Sequence, residues 1–127
     1  MIKHKQETNT LIHKLFALLV LALFINLPLV SAVEISSVQA IDITTNSATI
    51  KWATSEPADS FVHYGKDKIT LQTLGDANSL VNHTFPLTNL NENTQYYYSV
   101  ESNNLIDDNK ASLYSFQTLP QIGRAHV

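Results

Sequence analysis

Ala48-Thr49-Ile50-Lys51-Trp52 alternates apolar and polar residues and ends on the chain's one tryptophan. Alternation with period two is the pattern of a strand that buries one face. Ala48, Ile50 and Trp52 share the inner face, and Thr49 and Lys51 the outer. The pattern recurs on either side of this run. Ser60-Phe61-Val62-His63-Tyr64 puts Val62 and Tyr64 inside. Leu90-Asn91-Glu92-Asn93-Thr94-Gln95-Tyr96 leads into a strand with Tyr96, Tyr98 and Val100 inside and Tyr97, Ser99 and Glu101 outside. Phe85 and Leu87 alternate, with His83 in phase before them, and Tyr114, Phe116 and Thr118 make the last strand. Ile35, Val38 and Ala40 suggest a first strand with an irregularity between Ile35 and Val38, and residues 71–74 a short, weak one.

Turn-forming clusters separate these runs: Thr44-Thr45-Asn46-Ser47, Ser55-Glu56-Pro57-Ala58-Asp59, Gly65-Lys66-Asp67, and residues 89–93 and 103–109. No segment past residue 32 has helical periodicity. The expected fold class is all-β, an antiparallel β-sandwich of about seven strands in two sheets packed face to face. A single sheet would leave one apolar face in water.

The order Trp52, then Tyr64-Gly65, then Tyr96 resembles a fibronectin type III or immunoglobulin-like domain. Ser47-Ala48-Thr49-Ile50-Lys51-Trp52 is similar to that family's second strand, whose tryptophan fills the core. Residues 90–96 are similar to its leucine-turn-Thr-x-Tyr signature. The resemblance implies that Tyr96 is a tyrosine corner, its hydroxyl tied to upstream backbone. Ser115-Phe116-Gln117-Thr118 is similar to the closing strand, and the likeness spans residues 35–119. A narrower pattern lies within it. Trp52-Ala53-Thr54, Glu56-Pro57, Val62-His63-Tyr64-Gly65, His83-Thr84-Phe85 and residues 87–90 resemble the variant found in the N-terminal domain of purple acid phosphatases. Microbial surface proteins and carbohydrate-active enzymes carry it too. In the phosphatases this domain precedes the metal-bearing catalytic domain and supplies no essential ligands. Neither Asp-x-His nor Gly-Asn-His of the metallophosphoesterase signature occurs here.

The 127 residues include no cysteine, so the fold rests on its apolar core without disulfides or thiolate ligands. Residues 33–119 hold four lysines against ten acids, four minus ten giving −6. Such a surface repels a phosphate backbone and argues against nucleic-acid partners. Residues 1–32 read as a signal peptide. Lys3, Lys5 and Lys14 precede an apolar stretch at 15–25, Asn26 and Pro28 break it, and Val30-Ser31-Ala32 offers a cleavage site. Secretion or cell-surface exposure is the expected localisation, with membrane contact only if the signal stays uncleaved.

Ile122-Gly123-Arg124-Ala125-His126-Val127 is similar to the translation of a common short-read sequencing adapter, ATC GGA AGA GCA CAC GTC, with Gln121 as CAG. Residues 121–127 are expected to be an assembly artefact. The expected organisation is therefore a signal at 1–32, a sandwich at 33–120 and this tail, the parent protein continuing further.

No catalytic, cofactor-binding or metal-binding residue is expected, and no cofactor. His63 points outward beside Lys51 or Tyr97 and His83 opens a core-facing series; both read as surface or rim histidines, lacking the three or four converging ligands a metal needs. Asp107-Asp108-Asn109 lacks the alternate spacing of a calcium loop and reads as a solvated turn. Phe61, Tyr97 and Leu105, on outer faces, offer a platform for sugar or a neighbouring domain. Asn82-His83-Thr84 is a glycosylation sequon, relevant only in a host with that machinery. The expected function is a non-catalytic, secreted spacer or docking unit of a larger microbial protein. The alternative is the accessory domain of a secreted metallophosphoesterase. The partners are neighbouring domains, with a protein or carbohydrate ligand left open.

Overall fold

The computed structural model describes residues 2–25 and 31–123. It divides into two units, Met1–Ala32 and Val33–Val127. The first holds helix α1 (Ile2–Ile25). No helix among the described residues is long and apolar enough to cross a membrane. Asn26, Pro28 and Val30 of the expected signal lie outside the described residues.

Among its described residues the second unit is built from six strands: β1 (Ile35–Ile41), β2 (Ala48–Gly65), β3 (Gln72–Leu87), β4 (Gln95–Ser102), β5 (Leu105–Asp107) and β6 (Tyr114–Gln117). β2 and β3 form one long antiparallel hairpin, from Ala48 opposite Leu87 to Tyr64 opposite Gln72. β1 pairs with the first half of β2 and β4 with the second. β5 and β6 both pair with β4. The two halves of the hairpin therefore belong to opposite layers. Ile50, Trp52 and Leu87 from one layer share a single core with Val62, Tyr64, Tyr96, Tyr98, Val100 and Phe116 from the other. This is the β-sandwich expected, but its layers are continuous: one hydrogen-bonded sheet curls over its own apolar face.

The corner of that curl corrects one expectation. Ser55-Glu56-Pro57-Ala58-Asp59 is not a turn between separate strands but the middle of β2. The pairing register shifts between Ala53 and Ala58, and again before Ser60. Extra residues on one strand bend it and sharpen its twist, and proline is tolerated where the ladder is broken. A second correction lies at 103–109, where the expected loop holds β5. Asn103 and Asn104, at φ 52° and 62°, turn the chain back so that Leu105 pairs with Ser102. The bulge expected in the first strand is present between Ser36 and Gln39, with Ser37 at φ 57°.

The alternation reads through to burial. Ile50, Val62, Leu87 and Val100 are fully buried, and Trp52 is 3 % exposed. Ser99, expected outside, is buried as well. Tyr96 is a tyrosine corner: its hydroxyl accepts a hydrogen bond of 2.8 Å from the Asn91 amide. Leu90 is drawn under the core by its amide bond to the Asn46 carbonyl.

Candidate functional site

His83 enters the core because β3 carries it inward opposite Trp52. The expected rim histidine is fully buried. Its ring stacks on the Trp52 indole, with centroids 4.8 Å apart and planes 3° from parallel. Nδ1 lies 2.7 Å from Ser60 Oγ and Nε2 2.9 Å from Thr54 Oγ1. A neutral imidazole has one donor and one acceptor, and a hydroxyl serves either, so both nitrogens are satisfied. Burial pushes this imidazole below its ordinary pKa, with Asp59 and Asp76 pulling weakly the other way. The Trp52 N–H donates 3.0 Å to Ser102 Oγ, which donates to the Asp59 carbonyl. These polar groups bind one another across the β2 corner and present nothing to a ligand.

His63 lies on the outer face, between Thr73 and Glu101 rather than beside Lys51. Its Nδ1 is 2.8 Å from Thr73 Oγ1 and its Nε2 2.7 Å from Glu101 Oε2. This hydrogen-bonded line runs across three strands, β3, β2 and β4. The β2 backbone around His63 is paired on both sides, to β3 and to β4.

The outer aromatics are separated. Phe61 lies against Gly75, where a Cβ would overlap its ring. Tyr97 carries the Lys68 ammonium 5.1 Å above its ring. Leu105 is exposed on β5, and Asn82 is exposed on β3. The acidic loop is used internally: Asp107 Oδ1 accepts from the Asn109 amide, Asp107 Oδ2 from the Tyr114 hydroxyl and Asp108 Oδ1 from the Ala111 amide. The Tyr114 phenol is pushed up by burial and by this bond to Asp107. Among the described residues no three His, Asp or Glu converge as a metal site.

One concavity escaped the sequence. The β2–β3 turn and the segment between β3 and β4 enclose a cleft of about 640 Å³. Tyr64, Tyr96, Gln72, Asn89 and Asn91 are among the residues that line it. Gly65 sits beneath the turn, where a Cβ would overlap the Thr70 carbonyl. The Gly65-Lys66-Asp67 and 89–93 clusters announced turns, but nothing in their spacing placed them beside each other.

With the sandwich described, the comparison with known proteins is decisive at the level of family. The purple acid phosphatase N-terminal domain model matches residues 34–118, from just before β1 to just past β6. The chain belongs to the purple acid phosphatase N-terminal domain family. No curated protein matches it. Among solved structures, the sensor domain of the anti-sigma factor RsgI4 of Pseudobacteroides cellulosolvens is 20 % identical. The match covers 72 % of this chain and 99 % of that one, with a TM-score of 0.53. A structure described as a myokine is 20 % identical over 72 % of this chain and 100 % of its own, with a TM-score of 0.59. PhoD is 13 % identical over 66 % of this chain but only 19 % of its own, with a TM-score of 0.55. At these identities the likeness establishes a shared fold.

Proposed function

We propose that this purple acid phosphatase N-terminal-type sandwich is a non-catalytic accessory domain, exported from the cell, that spaces or docks a neighbouring domain. The family match across residues 34–118 carries this reading, because it accounts for the sandwich as one complete N-terminal-type module. The way its polar groups are committed to one another is consistent with it. Residues 1–32 serve as the export signal in this proposal. N-terminal sequencing of extracytoplasmic material is expected to begin at Val33, and the protein is expected not to turn over p-nitrophenyl phosphate with divalent metals added. An intact Met1 in the membrane fraction overturns the cleaved signal. Metal-dependent turnover that co-purifies with the chain overturns the non-catalytic role.

The family's description favours a second, narrower reading, in which the neighbour is a metallophosphoesterase. The PhoD match, confined to 19 % of that protein, supports the same arrangement. Genomic sequence past codon 120 separates the two. An Asp-x-His signature supports the phosphoesterase; repeated sandwich units support the spacer.

A further inference from the structure

We propose that the cleft between the β2–β3 turn and residues 88–91 is a binding site for a neutral carbohydrate. The inference stands apart from the accessory-domain reading, since it concerns groups within this sandwich alone. Two tyrosines, Tyr64 and Tyr96, line the cleft. Tyr64 is only 7 % exposed, and its hydroxyl makes no hydrogen bond among the described residues. Yet no buried side-chain oxygen there lacks a partner, so the Tyr64 hydroxyl must reach solvent, and Tyr64 lines the cleft. The Tyr96 hydroxyl accepts from the Asn91 amide and keeps its own proton to donate.

Three carboxamide residues, Gln72, Asn89 and Asn91, line the cleft as well. None is hydrogen-bonded to protein through its carboxamide among the described residues, whereas the Asn93 carboxamide accepts from Gln117 Nε2 on β6 and that of Asn109 donates to the Leu113 carbonyl. An amide offers a donor and an acceptor side by side, matching adjacent hydroxyls on a sugar ring. Leu74 and Leu90 supply the apolar part that small-molecule clefts combine with a few placed polar groups.

The charges argue for a neutral ligand. Lys66 and Asp67, adjacent and opposite in sign, both line the cleft. Asp67 Oδ1 is held by the Ile69 and Thr70 amides, and these bonds keep its carboxyl below its usual pKa and charged. An anionic ligand would meet that charge as well as the acidic balance of the domain. An extended peptide pairing with the free edge of β3 beside the cleft is the competing occupant.

The test is an amide NMR titration of the full chain with cellotetraose, mannotetraose and chitotetraose. The expected result is saturable shifts confined to residues 64–74 and 88–96 with at least one of them. Asn89 has φ 57°, so Asn89→Gly removes the amide without straining the backbone. Asn89→Gly and the exposed Gln72→Ala are each expected to weaken binding about fivefold, near one net hydrogen bond. Gln39→Ala, exposed on β1, is expected to leave it unchanged. No shift with any of the three sugars at about 20 mM, well above the ~1 mM of weak binding, overturns the proposal. So do shifts centred on Phe61 and Tyr97, or affinity unaltered in the Asn89→Gly, Gln72→Ala double variant. A threonine-valine octapeptide that moves the 72–76 amides where the sugars do not assigns the cleft to peptide instead.

Discussion

At the scale of single residues, the sandwich turns on Trp52 and His83. Trp52 closes the core from one layer and gives its N–H to Ser102 from the other. Trp52→Ala removes a large buried ring and leaves a cavity, expected to cost about 3–5 kcal/mol. Denaturant melts measure it, and a loss below about 1 kcal/mol, the range of surface substitutions, contradicts the core role. His83 adds a pH dependence. Burial holds its folded pKa below the unfolded value near 6.5. The unfolded chain thus binds the proton more readily. Stability from this group is full above the unfolded pKa and is lost as pH falls through that value and the folded one. Melting temperatures between about pH 7.5 and about pH 5 are expected to fall more steeply for wild type than for His83→Gln; parallel slopes refute this. Alternation placed Trp52 on an inner face and put His83 in phase with a core-facing series, yet His83 was expected at the rim and is buried. The sequence did not show that Thr54 and Ser60 would meet His83, because those partners lie on either side of a corner that period-two patterning does not encode.

Among the elements, alternation found the strands and missed how they connect. Every inward residue expected in β2 is buried, yet the polar cluster at 55–59 looked like a turn and is a bent strand. Turn-forming residues signal a departure from the regular ladder, and a bulged corner and a reversal leave similar compositions. The β4–β5 hairpin was hidden for a related reason. A three-residue strand carries too few side chains to show a period, and Asn103-Asn104 was read only as polar loop. Both asparagines have positive φ, the backbone of the mirror-image turns that suit two-residue hairpins. This gives a prediction with opposite signs. Asn104→Gly removes the left-handed penalty and is expected to be neutral or stabilising by up to about 0.5 kcal/mol. Asn103→Ala keeps the penalty without a local polar side chain and is expected to destabilise by about 1 kcal/mol. Equal effects from the two would mean that the turn is not held in this conformation.

For the molecule as a whole, the core fixes how much of the chain the fold needs. Its buried apolar residues run from Ala48 to Phe116, with partly buried support beginning at Ile35. Among the described residues of this unit, none lies beyond Phe116. The C-terminal margin is set by polar bonds rather than packing. The buried Thr118 receives the Thr94 amide on its hydroxyl, and its own amide donates to the Thr94 carbonyl. Leu119 donates its amide to Thr44 and accepts from Asn93. Residues 121–123 are exposed without regular structure, while residues 124–127 of the adapter-like tail lie outside the described residues. A chain of residues 33–120 is therefore expected to unfold in one cooperative step at the melting temperature of the 127-residue protein. Agreement is expected within about 2 °C, well inside the 4–8 °C that about 1 kcal/mol produces in a domain of this size. Ending the chain at Phe116 removes Thr118 and Leu119 and leaves the Thr94 and Asn93 amides without partners. Asn93 is exposed and Thr94 half-buried, so water meets part of the loss; each bond contributes about 0.5–1.5 kcal/mol net, and that chain is expected to melt lower by several degrees. Calorimetry of the three lengths decides the matter. A large loss on cutting to 33–120 would show that the flanking segments carry part of the fold, and no loss on cutting to Phe116 would show that these bonds do not.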